Sequence, residues 1–202
     1  MLRPLRPIKA GARVACESCA MNLTNTRSAY GWAAIALHWI SAVGVVALYL
    51  LGEQMEEASG RTAKLAAQDL HVSVGVLLFT FLAARLLWSA SQPKPVPLER
   101  TPLFVVLAKT VQALFLLMIL VLIVTGPLAV WSTGRGLPVF DFFTLPSPIG
   151  RMPALHDAAE EVHGAATKLF WPLIALHVAG ALKHLFLDRD ATVRRILWVQ
   201  KR

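Results

Sequence analysis

Four long apolar runs, parted by short polar connections, make up the chain beyond its first thirty residues. They cover residues 33–51, 70–88, 103–130 and 162–187. At 1.5 Å per residue each is long enough, as a helix, to cross about 30 Å of hydrocarbon. The pattern predicts an all-α integral membrane protein, a four-helix bundle forming one membrane domain over residues 30–202, behind a polar arm at 1–29. Trp32 and Trp39 mark the start of the first span and Glu53, Glu56 and Glu57 its end. Gln92-Pro-Lys-Pro-Val-Pro closes the second, because proline cannot continue a helix. The third is so long that it must tilt or extend past the lipid, and Gly126-Pro127 is a site for a kink. Residues 132–155, rich in Gly, Pro and Phe, read as a loop folded over the mouth of the bundle as a lid.

Composition agrees. A chain that is 56% hydrophobic, with a mean hydropathy of +0.57, is too apolar for an ordinary soluble domain. Its net charge of +8 would suggest nucleic acid in a soluble protein. Here the cations sit at the ends of apolar runs, so membrane topology accounts for them and no nucleic-acid partner is expected. Counted over arms and connections, fifteen Lys and Arg fall on the side that carries both termini and four on the other. That bias predicts cytoplasmic N- and C-termini. Cys16 and Cys19 are half of a tetrahedral zinc site and read as a chance pair in a tail, while Met21 is a plausible alternative start. Trp32, Trp88, Trp131 and Trp198 read as interface anchors.

Candidate chemistry lies with the histidines. His163 and His177 are 14 residues apart, which on a helix is about 40° short of four turns with a rise of about 21 Å. Their imidazoles share one stripe at two depths. His38 lies six residues inside the first span and His177 six residues before Lys183, so both are about 9 Å from the same face. His71 and His163 both stand near the other face. Ligand-capable side chains inside a membrane are costly and face the bundle interior for a reason. The depth match predicts two bis-histidine sites, His38 with His177 and His71 with His163, each holding a b-type haem, the two stacked across the bilayer. Filled axial positions make such a haem a pure electron carrier. Zinc or a proton relay are the alternatives, although the spans offer no further Cys or carboxylate at those depths.

Around these ligands, Gly44, Gly75, Gly126, Gly164 and Gly180 would let a flat macrocycle approach the backbone, or serve plain helix packing. Arg85 follows His71 by 14 residues, which puts it on the same face at the level of the other pair. An inward arginine there would pair with a haem propionate; a snorkelling arginine is the plainer reading. His156 and His184 each lie seven residues from a proposed ligand, within about 20° of its face, within reach of a haem edge, a quinone or solvent.

The Ala-Leu-His-Trp-Ile around His38, Leu-His-Val-Ser-Val-Gly around His71, Ala-Arg-Leu-Leu-Trp at Arg85 and Glu-Val-His-Gly with Leu-His-Val-Ala-Gly-Ala-Leu-Lys-His around His163 and His177 resemble the bacterial cytochrome b561 family, from about Ser28 to Leu197. The resemblance implies a four-helix, two-haem protein of the bacterial inner membrane with the same ligand pairs. It implies electron transfer across that membrane, with superoxide as donor and ubiquinone as acceptor if the chain is similar to the superoxide oxidase type. The alternative it implies is a cytochrome subunit linking a soluble or periplasmic dehydrogenase or hydrogenase to the quinone pool. The charges of the outer loops do not choose. Arg61, Lys64, Arg135 and Arg151 would steer an anion, and Glu53, Glu56, Glu57, Asp141 and Asp157 oppose them.

Overall fold

The computed structural model describes residues 23–99 and 101–197. The earlier arm, with Cys16, Cys19 and Met21, lies outside the described residues, as do Arg100, Trp198, Lys201 and Arg202. Four helices dominate: α1 (Trp32–Glu57), α2 (Arg61–Ser91), α3 (Pro102–Trp131) and α4 (Pro153–Leu182). In lipid every backbone N–H and C=O must be paired within its own segment, which is why the apolar runs are helical throughout. The helices overrun those runs. α2 starts at Arg61 rather than Leu70, and α4 starts at Pro153 rather than near 162. An apolar run measures only the length in hydrocarbon, and polar residues continue the helix into the interface. Proline at the start of α3 and α4 suits a position where no N–H is needed. Both helices run on through an internal proline, Pro127 and Pro172.

All four helices are long and apolar enough to cross a membrane, yet only 11–17% of each most apolar stretch is buried. The large side chains therefore point outward, as they must where lipid is the solvent. What is buried forms one layer midway along the bundle: Leu78 and Leu82 of α2, Met118 and Ile119 of α3, and Ala166, Phe170 and Leu173 of α4. α1 packs chiefly on α2 and α3 on α4, with α2 and α3 joining the two pairs. The backbones of α1 and α4 make little direct contact. Side chains rather than backbones bridge these two helices.

One end of the bundle carries the connection from α1 to α2, turned by Gly60 at φ +86°, and the segment from α3 to α4. The segment read as a lid holds a small antiparallel hairpin, β1 (Leu137–Val139) and β2 (Phe143–Leu145), with Leu137 opposite Leu145. The buried Ser73 clamps it to α2: its Oγ accepts the Phe140 N–H at 2.8 Å and lies 2.6 Å from the Asp69 carbonyl and 3.2 Å from that of Pro138. This is the hairpin end. At the opposite, terminal end, Asn25 Oδ1 accepts the Gly31 N–H and Asn25 Nδ2 donates to the Pro93 carbonyl, tying residues 23–31 to the connection after α2. There α4 passes into a π-helical turn, Lys183–Asp188, and the described chain ends in the single turn α5 (Arg194–Leu197).

Candidate functional site

Side chains from α1, α2 and α4 meet at two levels of the bundle. Near the terminal end the rings of His38 and His177 stand 6.2 Å apart between centroids, at 53°. Near the hairpin end those of His71 and His163 stand 6.4 Å apart, at 80°. Two metal–nitrogen bonds of about 2.0–2.1 Å and two ring radii of about 1.1 Å would let two imidazoles that share one metal ion stand up to about 6.3 Å apart. The interplanar angle is free in such a pair, since each ring turns about its own bond. Both separations match a shared ion and leave no room for a direct hydrogen bond between the rings. The buried central layer lies between the levels, where Tyr49 of α1 also meets Trp171 of α4 edge-on at 4.8 Å. Neither Tyr49 nor Trp171 carries a motif that would have singled it out.

The two levels are held differently. Thr125 of α3 gives its one proton to the Val121 carbonyl at 2.8 Å, so at 3.0 Å it can only accept from His163 Nδ1. That fixes the neutral tautomer in which Nε2 carries the free lone pair a metal needs. Space for the ring comes from Gly126, where an added Cβ would lie 3.3 Å from His163 Cε1. At Gly52 an added Cβ would be in ordinary contact with the His71 ring, 3.7 Å away, and His71 Nδ1 is buried without a well-formed hydrogen bond. At the other level Arg85 Nη2 lies 3.2 Å from His38 Nδ1. A guanidinium only donates, so here Nδ1 accepts and Nε2 bears the proton. Arg85 Nε is buried with no partner. Phe115 packs edge-on to His177 at 5.3 Å.

The other residues singled out from the sequence divide. Gly164 and Gly180 have open space where a Cβ would stand, and Gly75 only the tip of Leu48 at 3.9 Å, so all three let a plane of atoms reach the backbone. Gly44 instead packs against the Leu78 side chain. Of the tryptophans read as anchors, Trp32 is exposed, but the indole N–H groups of Trp88 and Trp131 are buried without partners. His156 Nδ1 donates to the Ala129 carbonyl, 2.8 Å away, and His184 meets Asp190 at 2.9 Å; neither joins a pair. Among the described residues, Glu99, His184 and Asp188 bring metal-capable atoms within 4.8 Å of one another. The Lys183 ammonium already sits on both carboxylates at 2.6 Å, where a cation would go.

Beside the His71–His163 pair, an open cleft of about 470 Å³ is lined by Met55, Glu56, Arg61, Lys64, Leu65, Gln68 and Glu160. Gln68 and Glu160 each precede a histidine of that pair by three residues, one helical turn. Its charges are mixed, and Arg135 nearby is spent on Asp69 at 2.9 Å.

Residues 29–198 match the family described as prokaryotic cytochrome b561. Cytochrome b561 homolog 2 of Escherichia coli (strain K12) is 33% identical over 184 residues, which is 88% of this chain and 95% of that protein. Four outward-apolar helices with paired histidines between them agree with those matches: the chain belongs to the prokaryotic cytochrome b561 family of multi-pass membrane proteins that transfer electrons through b-type haem.

Proposed function

We propose that the protein is a di-haem cytochrome of the bacterial inner membrane that takes electrons from superoxide on the outer side and passes them to ubiquinone. The observation that carries this is the repetition of one imidazole separation, 6.2 and 6.4 Å, at two levels of a single helix. His38 with His177 would hold one haem b, and His71 with His163 the other. Bound there, each haem would supply a one-electron iron couple.

The chain's own residues do the rest. Thr125 orients His163 and keeps its Nε2 free. Arg85, whose Nε is unspent, would pair with a propionate carboxylate, and His38 Nδ1 would then be free to donate. Leu78, Leu82, Met118 and Phe170 keep water from the space between the levels. The positive-inside bias puts the terminal end in the cytoplasm and the hairpin end outside. Arg61 and Lys64 line the outer cleft and attract a small anion, with Glu56 and Glu160 limiting the effect.

Detergent-solubilised protein tests the reading in two steps. Its reduced spectrum should show b-type haem at two per chain, and enzymatically generated superoxide should reduce that haem in a reaction abolished by superoxide dismutase. A colourless protein would sink the haem sites. Two haems that ignore superoxide would leave a cytochrome with a different donor.

A further inference from the structure

We infer that the hairpin tip is a lipid-binding wedge: the rings of Phe140, Phe142 and Phe143 insert into the leaflet at the hairpin end, where headgroups give way to acyl chains. The rotation of α2 places the hairpin. His71, Leu78 and Arg85 repeat every seven residues and form the inner stripe, with a ring of one histidine pair, part of the buried central layer and the neighbour of His38. Ser73, two residues past His71, lies about 200° round the helix, on the opposite stripe with Thr80 and Leu87. Thr80 is exposed and Leu87 is 73% exposed, so that stripe faces lipid. Ser73, on the same stripe, is buried under the hairpin. The hairpin therefore leans on the outward side of α2 rather than across the mouth of the bundle.

Depth follows from the same clamp. Ser73 stands three residues into the apolar run that begins at Leu70, about 4.5 Å past its edge. Its Oγ accepts the Phe140 N–H at 2.8 Å, which pins the tip of the hairpin to that level. Residues 61–69 carry α2 on beyond it, and β1 packs mainly on α2. The tip is thus beside the edge of the acyl chains, where aromatic rings gather. It continues the apolar outward surface that the helices already present to lipid.

What the tip presents fits lipid. Phe142 is 84% exposed and Phe143 57%, and the Phe140 ring stands edge-on to that of Phe142 at 6.4 Å. Between positions 136 and 150 the one charged residue is Asp141, so no cation there seeks an anionic headgroup. A soluble partner would have to reach below the headgroups to touch rings at this depth. The backbone also suits a place with little water. The N–H groups of Phe140 and Phe142 are paired, with Ser73 and with the Val139 carbonyl, and Pro138 has none to pair. Phe140 stands at φ +50°, a conformation that a bulky residue keeps only where its surroundings over-determine it. Ser73 on one side and lipid around the rings supply that constraint.

The test uses full-length protein in phosphatidylcholine nanodiscs, with Cys16→Ser and Cys19→Ser so that one nitroxide reports one position. Labels are placed at Phe142→Cys, at Leu77→Cys on the exposed side of α2, and at Ser59→Cys in the connection after α1. Each meets oxygen, which concentrates in lipid, and a nickel chelate, which stays in water. The oxygen-to-nickel ratio at 142 should match that at 77 and exceed that at 59, and added phosphatidylglycerol should leave it unchanged. A label at 142 that nickel reaches as freely as at 59 would put the tip in water and overturn the proposal. So would a label shielded from both reagents, the mark of a second copy or a protein partner, or a ratio that rises only with phosphatidylglycerol. Independently, Phe142→Ser with Phe143→Ser should speed hydrogen exchange at the Phe140 amide about tenfold or more, because burying one phenylalanine is worth at least that factor. Exchange at Leu78 and Leu82 should not change, which shows that the bundle stands. Equal exchange at Phe140 in a bundle so preserved would also overturn the wedge.

Discussion

The histidine pairs near the two ends of the bundle have the same chemistry in different surroundings. His71 and His163 meet in a neutral setting, where Thr125 holds one ring in a ligand-ready tautomer and Gly126 clears the space beside it. His38 and His177 meet beside a cation, with Arg85 on one ring and Phe115 on the other. A hydroxyl already committed to its own helix positions a ligand without adding charge. An arginine adds charge and must find an anion to satisfy it. The difference predicts one pair that is preorganised and another completed by the group it binds.

Removing a ligand from each level is the harshest test of that contrast. His163→Ala should lose the outer haem and His177→Ala the inner one, so that each variant retains about one haem per chain by pyridine haemochrome assay. Two haems in either variant would break the pairing, and loss of both in either would make the levels one cooperative site. A milder cut is Thr125→Val, which keeps the shape and removes the acceptor for His163 Nδ1. Partners behind a ligand typically contribute 10–100-fold in affinity. Haem loss from the outer site should accelerate by that order, with the inner site unaffected.

Arg85→Leu probes the opposite level. A positive charge opposes the oxidised iron more than the reduced one, so its removal should lower the inner midpoint potential. A unit charge within about 10 Å at an effective dielectric of 20 is worth about 1.7 kcal/mol, or about 70 mV for one electron. A propionate partner reduces this to tens of millivolts. Redox titration should show the inner step falling and the outer one still. A shift of the outer step alone would mean that Arg85 acts elsewhere.

Why one half of this comparison was legible in the sequence and the other was not follows from what a helix fixes. Rise per residue is constant, so depth could be counted, and His38, His71, His163 and His177 fell into the pairs the structure brings within 6.2 and 6.4 Å. Arg85 stands beside His38 for the same reason. Thr125 was missed because α3 carries no histidine and its rotation about its own axis depends on packing against α4. The hairpin was missed because its strands have three residues each and are held by Ser73 from 65 or more positions away. Five glycines looked alike, and only their neighbours separate Gly44, packed on Leu78, from Gly164 and Gly180, facing open space.

The smallest expected effect concerns how the terminal end is fastened. Glu99 and Lys183, 84 residues apart, meet at 2.6 Å and tie the connection after α2 to the π-helical turn. The Lys183 ammonium, with help from the Thr101 N–H, holds the Glu99 carboxyl down at about 2. A carboxyl depressed by folding contributes stability that is present above its unfolded value, about 4.3, and is lost as pH falls through the folded value. Between about pH 4.5 and 2, the π-helical turn should therefore loosen while the hairpin at 137–145, held by neutral hydrogen bonds, keeps its protection. Because a single ion pair that water still reaches contributes little, the change should be a few-fold in hydrogen-exchange protection of residues 183–190. Glu99→Gln should show that loosening already at pH 5 and respond less to further acid. Equal protection of the turn in both proteins at pH 5 would mean that Asp188 alone secures Lys183, and that the two ends of the bundle do not differ in how acid reaches them.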